Sequence, residues 1–213
     1  MSPRAEITGG TQARASALAR SARHPVLAGR VGPNAIIQTR RVLARHVDAS
    51  EVERLLVDAG LGAYVPGDPA DMIDAAEAAR FFAAIRARYG GAEADRILRD
   101  AGRLTGTYII AHRIPRPAAM LLRSMPGMWA APLLLRAVTA HAWTFAGSGR
   151  VTARYRAPLS IDIAANPLAT PGCPWHLGVF ETLFGTLASK TVSLRHSSCC
   201  ARGDASCLTE IGL

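Results

Sequence analysis

Lysine is almost missing from this chain. Lys190 is the only one in 213 residues, so the net charge of +9 is carried nearly all by arginine. Arginine and alanine rise together in GC-rich coding sequence, which accounts for much of that balance. Its distribution says more, because no Asp or Glu occurs between Asp100 and Asp162 whereas eight arginines do. A long cationic stretch without carboxylates favours an anionic ligand or an acidic membrane surface.

Long apolar runs are missing too. Met128 to Phe145 is the most apolar segment, but Pro132, Arg136 and His141 interrupt it. A bilayer span needs roughly 20 mostly apolar residues, so a buried helix is expected there instead. The N-terminus carries Arg4, Arg14, Arg20 and Arg23 without the continuous apolar core of a secretory signal, and a cytoplasmic protein is expected. Cysteine is scarce, with Cys173, Cys199, Cys200 and Cys207 all in the last part of the chain. None is spaced as a secreted disulfide framework, which suits a reducing compartment.

Several nucleotide and hydrolase signatures are absent. Gly147-Ser-Gly149-Arg-Val-Thr152 imitates half of a dinucleotide fingerprint, yet it follows an expected helix and leads into an expected strand. There is no phosphate loop and no nucleophile elbow, and the basic stretch has no nucleic-acid-binding motif around it. NAD(P), flavin and nucleic acid are therefore not expected as ligands.

What is present describes a folded chain, since hydrophobic residues make up 49% and charged ones 19%. Residues 1–27 read as a flexible basic arm and 28–213 as a single domain, with a helical part over 28–147 and a strand-rich part over 148–213. Ser50-Glu-Val-Glu53 has the form of a capping box, with Val52, Leu55 and Leu56 on one face and Gly60 as the stop. Helices are expected over Asp74 to Tyr89, closed by Gly90-Gly91, and from Ala92 to about Ile110. After Pro115 and Pro117 another helix runs, kinked at Pro132, to Phe145. Val151, Ala153 and Tyr155 then alternate with polar residues, as do Ile161 and Ile163, so two strands follow. Cys173 opens an amphipathic helix with Leu177, Phe180, Phe184 and Leu187 on its apolar face. A strand over Val192 to His196 precedes the turn at Gly203-Asp204. Helices first and strands afterwards predict an α+β fold with an antiparallel sheet.

Two constellations carry chemistry. Cys173, Cys199 and Cys207 offer soft ligands on a helix start, a strand end and a turn, and the turn brings Cys199 and Cys207 together as cross-strand neighbours with Cys200 pointing away. A tetrahedral zinc site needs one more donor, which His196 or His176 could supply; a buried thiol cluster without metal is the alternative. The second group is His141, Trp143 and Phe145, an imidazole, an indole and a phenyl near a helix end. It could ligate and stack on a flat, metal-bearing macrocycle whose carboxylates meet Arg150, Arg154 or Arg156, or else the rings are core residues.

Arg30-Val-Gly-Pro-Asn-Ala-Ile36, Ala101-Gly-Arg-Leu-Thr-Gly-Thr-Tyr108, Arg113-Ile-Pro115, His141 to Gly149, Asn166-Pro167 and Phe180-Glu-Thr-Leu-Phe184 resemble the bacteriochlorophyll-biosynthesis 4-vinyl reductase family of phototrophic bacteria. The C-terminal part is similar to the wider 4-vinyl reductase domain, whose Cys, then Cys-x-x-x-Gly-Asp-x-x-Cys pattern falls on Cys173, Cys199, Gly203, Asp204 and Cys207. That family commonly has Glu where this chain has His196. The resemblance implies a small-molecule-binding α+β module related to transport-particle subunits, in which helices pack on a C-terminal antiparallel sheet with a long helix. It implies a zinc-thiolate site at Cys173, Cys199 and Cys207, as in phenol-sensing regulators, with His196 in the place of the family's Glu as the fourth donor to be tested. The substrate it implies is divinyl chlorophyllide or protochlorophyllide, or another Mg-tetrapyrrole. Two functions stand: an accessory that holds or delivers the pigment, or an oxidoreductase component that reduces its vinyl group. Pathway enzymes are the expected partners, with room for a homodimer and for peripheral contact with the photosynthetic membrane.

Overall fold

The structure, a computed structural model, describes residues 29–213. The arm expected over residues 1–27 lies outside them. Among the described residues there are seven α-helices and two antiparallel sheets, in an α+β arrangement. A two-residue ribbon pairs β1 (Arg30–Val31) with β2 (Ile73–Asp74) and encloses α1 (Asn34–Leu43) and α2 (Ala49–Asp58). The cap of α2 is Asp48, whose carboxylate accepts from the Glu51 N–H at 2.9 Å. Ser50, expected in that role, instead donates to Asp48 at 2.8 Å. Both are good cap residues, and the carboxylate reaches the open N–H.

The long helix α3 (Ala75–His112) is broken where the glycine pair stands: Gly90 has φ 76°, outside the helical region, so two helices meet there. Next come α4 (Arg116–Ser124) and α5 (Gly127–Ala140). The helix expected to run to Phe145 stops at Ala140, and a single turn, α6 (Trp143–Ala146), follows separately. Nor is that segment wholly buried. Ala130, Ala131, Leu134, Leu135 and Val138 face the core, while Met128, Trp129 and Leu133 are exposed. An apolar sequence here marks a helix with two apolar faces, only one of which the fold covers.

The second sheet comprises β3 (Arg150–Arg154), β4 (Leu159–Ala164), β5 (Ser193–Ser198) and β6 (Ser206–Gly212) in the order β3-β4-β6-β5, all antiparallel. Helix α7 (Pro174–Leu187) packs against both α3 and this sheet. Only Thr186 of α7 is exposed, so the helix is enclosed on nearly all sides instead of amphipathic. Its contact with α3 is a backbone approach through glycine. A Cβ on Gly102 would stand 2.1 Å from the Trp175 carbonyl oxygen, and one on Gly178 2.1 Å from that of Arg99. At the rim, Glu181 of α7 accepts from Arg99 and Arg103 of α3. This packing presents the N-terminal end of α7, and with it Cys173, to the β5–β6 end of the sheet.

Candidate metal centre and its surroundings

Three loops bring the thiols together. Cys173 caps α7 in the left-handed region at φ 45°, and Ala165, at φ 51°, precedes Asn166 at the end of β4. These are the two non-glycine residues with positive φ among the described residues, and they bracket the loop that closes over the cluster. Such a conformation costs on the order of 1–2 kcal/mol each and persists where the surroundings enforce it. The third loop is the 3-10 turn Cys200–Arg202, ended by Gly203 at φ 92°. Asp204 then reaches back to accept from the Cys199 N–H at 2.7 Å. Thus the Cys-x-x-x-Gly-Asp-x-x-Cys spacing has a physical content: glycine makes the turn and the carboxylate fixes the first thiol's backbone.

The sulfur of Cys173 lies 3.6 Å from that of Cys199 and 3.5 Å from that of Cys207. With His196, the donor atoms all fall within 4.8 Å of one another, so the Cys3His group could hold a metal ion. A tetrahedral ion about 2.3 Å from each sulfur sets sulfurs about 3.8 Å apart, close to the observed spacing. The imidazole fits as well. Its Nδ1 lies 3.0 Å from the Thr209 hydroxyl, and its Nε2 is buried without a hydrogen-bond partner. An orphaned buried nitrogen beside three buried thiols is what a soft, borderline cation would satisfy.

The other histidine considered, His176, is not in the group. Its Nε2 donates to the Phe145 carbonyl at 3.2 Å, and its ring packs on Trp175, Phe145 and Phe180. Burial pushes His176 down to about 4, against the lift from that hydrogen bond. Cys200 is likewise outside, with its thiol 3.8 Å from the Ile163 carbonyl. Its backbone nevertheless takes part, donating to the Cys207 sulfur at 3.3 Å. Cys207 pairs across the sheet with Ile163, while the β5–β6 ladder shifts register between His196 and Ser198. Cys199 and Cys207 therefore meet through the turn and not as the expected cross-strand pair.

The electrostatics set Cys207 and Cys173 apart. A hydrogen bond from Cys173 holds Cys207 down at about 5 against burial, helped by the Cys200 N–H and the Asn166 side chain. Cys173 moves the other way, raised by giving its proton to Cys207 and by burial. Asn166 escaped the sequence reading. Its amide lies 3.5 Å from the Cys207 sulfur and 3.9 Å from that of Cys173, while its Oδ1 accepts from the Leu168 N–H. Thr170 was missed too, its carbonyl accepting from the Cys173 N–H and the Cys199 thiol. Only the quoted Asn166-Pro167 pair hinted at this loop.

The aromatic and arginine group is arranged differently. His141 caps α5, exposed, with Nδ1 2.9 Å from the Ala137 carbonyl. Trp143 is 39% exposed, whereas Phe145 points inward, edge-on to Phe180 at 5.8 Å. Arg150 and Arg154 are exposed on β3. Phe145 is therefore a core ring, and the other four are on the surface.

No protein-family model matches the chain. Curated relatives do. It is 39% identical over 193 residues to the Bacteriochlorophyll synthase 23 kDa chain of Cereibacter sphaeroides, covering 88% of this chain and 92% of that protein. It is 41% identical over 184 residues to the protein of the same name from Rhodobacter capsulatus, covering 84% and 85%. The chain belongs to the bacteriochlorophyll synthase 23 kDa chain family. Neither relative's name mentions vinyl reduction. Among the described residues, no helix is long and apolar enough to cross a membrane.

Proposed function

We propose that this chain serves bacteriochlorophyll biosynthesis as a tetrapyrrole-binding accessory. It holds or delivers a Mg-tetrapyrrole such as divinyl protochlorophyllide to a pathway enzyme, at the periphery of the photosynthetic membrane. Kinship with the bacteriochlorophyll synthase 23 kDa chains supports the pathway. The observation that carries the accessory role is the closed character of the Cys3His group. Cys173, Cys199 and Cys207 are 1%, 0% and 3% exposed, and with His196 they complete a four-donor set.

The ion proposed for this set is zinc. Zinc with four protein donors keeps no open position and has no redox chemistry, so it supplies folding energy. The residues around it hold and orient: Thr209 fixes the His196 ring, Asn166 and the Cys200 N–H stabilise the Cys207 thiolate, and Asp204 anchors Cys199. A centre of this kind braces the β5–β6 end against α7 and carries no electrons to a vinyl group. Pigment contacts are proposed at His141, Trp143, Arg150 and Arg154, with Phe145 supporting them from the core.

Titration with Mg-protoporphyrin or protochlorophyllide tests this reading. Binding is expected to shift the pigment's Soret band and quench Trp143 at micromolar concentration, with no saturable NADPH binding by calorimetry. Unchanged spectra would remove the carrier role. Conversion of divinyl to monovinyl protochlorophyllide by the purified chain with NADPH would replace it by the reductase role.

A further inference from the structure

The turn between α4 and α5 exposes an apolar tip. Met120 and Leu121 midway along α4 are 63% and 56% exposed, and Met128 and Trp129 at the start of α5 are 70% and 64% exposed. Only Met125 and Pro126 separate the two helices, so both pairs flank the same turn. The opposite faces hold the helices in place, through Ala119 and Leu122 of α4 and Ala130, Ala131, Leu134 and Leu135 of α5. Four large apolar side chains left in water on two consecutive helices mark an interaction surface.

The charge carried by α4 and the residues just before it is of one sign. Arg113, Arg116 and Arg123 are exposed, and among the described residues none of the ion pairs involves them. Arg136, about two helical turns beyond Trp129, lies with its guanidinium 5.5 Å from the Tyr155 ring centroid. No carboxylate stands anywhere between Asp100 and Asp162.

We propose that the α4–α5 tip is a membrane-docking surface for an anionic bilayer, seating Met120, Leu121, Met128 and Trp129 at the headgroup–acyl boundary while Arg113, Arg116 and Arg123 meet lipid phosphates. Tryptophan suits that boundary, and arginines beside an apolar wedge are attracted by anionic headgroups. Charge complementarity favours lipid over a protein partner, because the segment that carries these apolar side chains has arginines and no carboxylate of its own. The inference gives the peripheral location proposed above a specific surface, and it does not depend on pigment binding, which the Soret titration reads separately.

The test is flotation of the full-length, metal-loaded chain with phosphatidylcholine vesicles, with and without phosphatidylglycerol. Co-flotation is expected only with the anionic vesicles and should be released by salt. Met128→Ser with Trp129→Ser is expected to abolish it. Arg116→Gln with Arg123→Gln, two surface changes that leave the core untouched, is expected to lower partitioning roughly 25-fold. Unchanged circular dichroism and metal content in the variants would show that the fold is kept. Three results would overturn the proposal: no association with anionic vesicles, equal association with neutral ones, or variants that bind as the parent does. Capture of a pathway enzyme by this tip in place of vesicles would overturn it as well.

Discussion

His196 and Thr209 face each other directly across the β5–β6 ladder, with the imidazole Nδ1 3.0 Å from the hydroxyl. This one contact leaves Nε2 as the nitrogen available to a cation. Removing the hydroxyl in Thr209→Val keeps the side chain's shape but frees the ring to rotate and to change tautomer. Outer contacts of this sort are worth about 10- to 100-fold in metal affinity. A loss of that size is expected in competition with a chelator, whereas Cys207→Ser, which deletes a ligand, should lose more. Equal affinity in Thr209→Val and the parent would show that His196 is not a donor.

Asn166 is a neutral side chain that acts on the thiols themselves. It donates toward both Cys173 and Cys207 and closes its own loop through the Leu168 N–H. Asn166→Leu strips the thiolate of a donor and leaves that N–H buried without its partner, a cost of about 1–3 kcal/mol. Both a lower melting temperature and weaker metal retention are expected. Asn166→Asp should be worse for retention, since it places a carboxylate against the thiolate that hydrogen bonding holds low against the opposing effect of burial. Metal retention equal to the parent's in both variants would argue that the loop is only a lid.

How far these features were legible in sequence depends on whether their causes were local. The strands of the second sheet could be read because their apolar residues alternate, and the break in α3 because Gly90-Gly91 stands there. The convergence of Cys173, Cys199 and Cys207 followed from a turn dipeptide and a helix start. Asn166 could not be read in the same way: it stands 41 residues from Cys207 and meets it only because β4 pairs with β6. The single-sided apolar face expected for α7 failed for a related reason, since a helix held between α3 and a sheet buries its flanks as well. In the cap of α2, two suitable residues lie two apart, and only geometry decides that Asp48 accepts the N–H.

Gly102 and Gly178 set the distance between α3 and α7. Because an alanine Cβ at either site would meet a backbone carbonyl at 2.1 Å, neither helix can yield by a side-chain rotation. Gly102→Ala and Gly178→Ala are each expected to destabilise by about 1–3 kcal/mol, through forced separation of the helices. In a chain of this length that lowers the melting temperature by roughly 2–12 °C. Gly62→Ala is the control, its nearest neighbour being a Val57 methyl at 3.9 Å. Because Cys173 immediately precedes α7, metal affinity should fall with stability in the first two variants and stay level in the control.

Acid should weaken the fold through His176 before it touches most carboxylates. The ring is enclosed by Trp175, Phe145 and Phe180, and burial holds its pKa at about 4 against an ordinary 6.5. The unfolded chain therefore binds a proton between these values that the folded chain refuses, and stability rises with pH wherever that is so. This contribution is complete above pH 6.5 and is lost progressively as pH falls toward about 4, on the order of 3 kcal/mol in all. Denaturant titrations from pH 7 to pH 4 should show the decline in the metal-loaded chain. His176→Gln keeps an N–H for the Phe145 carbonyl but cannot take up the proton, so its stability should be lower at pH 7 and fall less steeply. Metal release in acid is common to both proteins and drops out of the comparison. Parallel pH profiles for the two would mean that His176 is not the group that resists protonation.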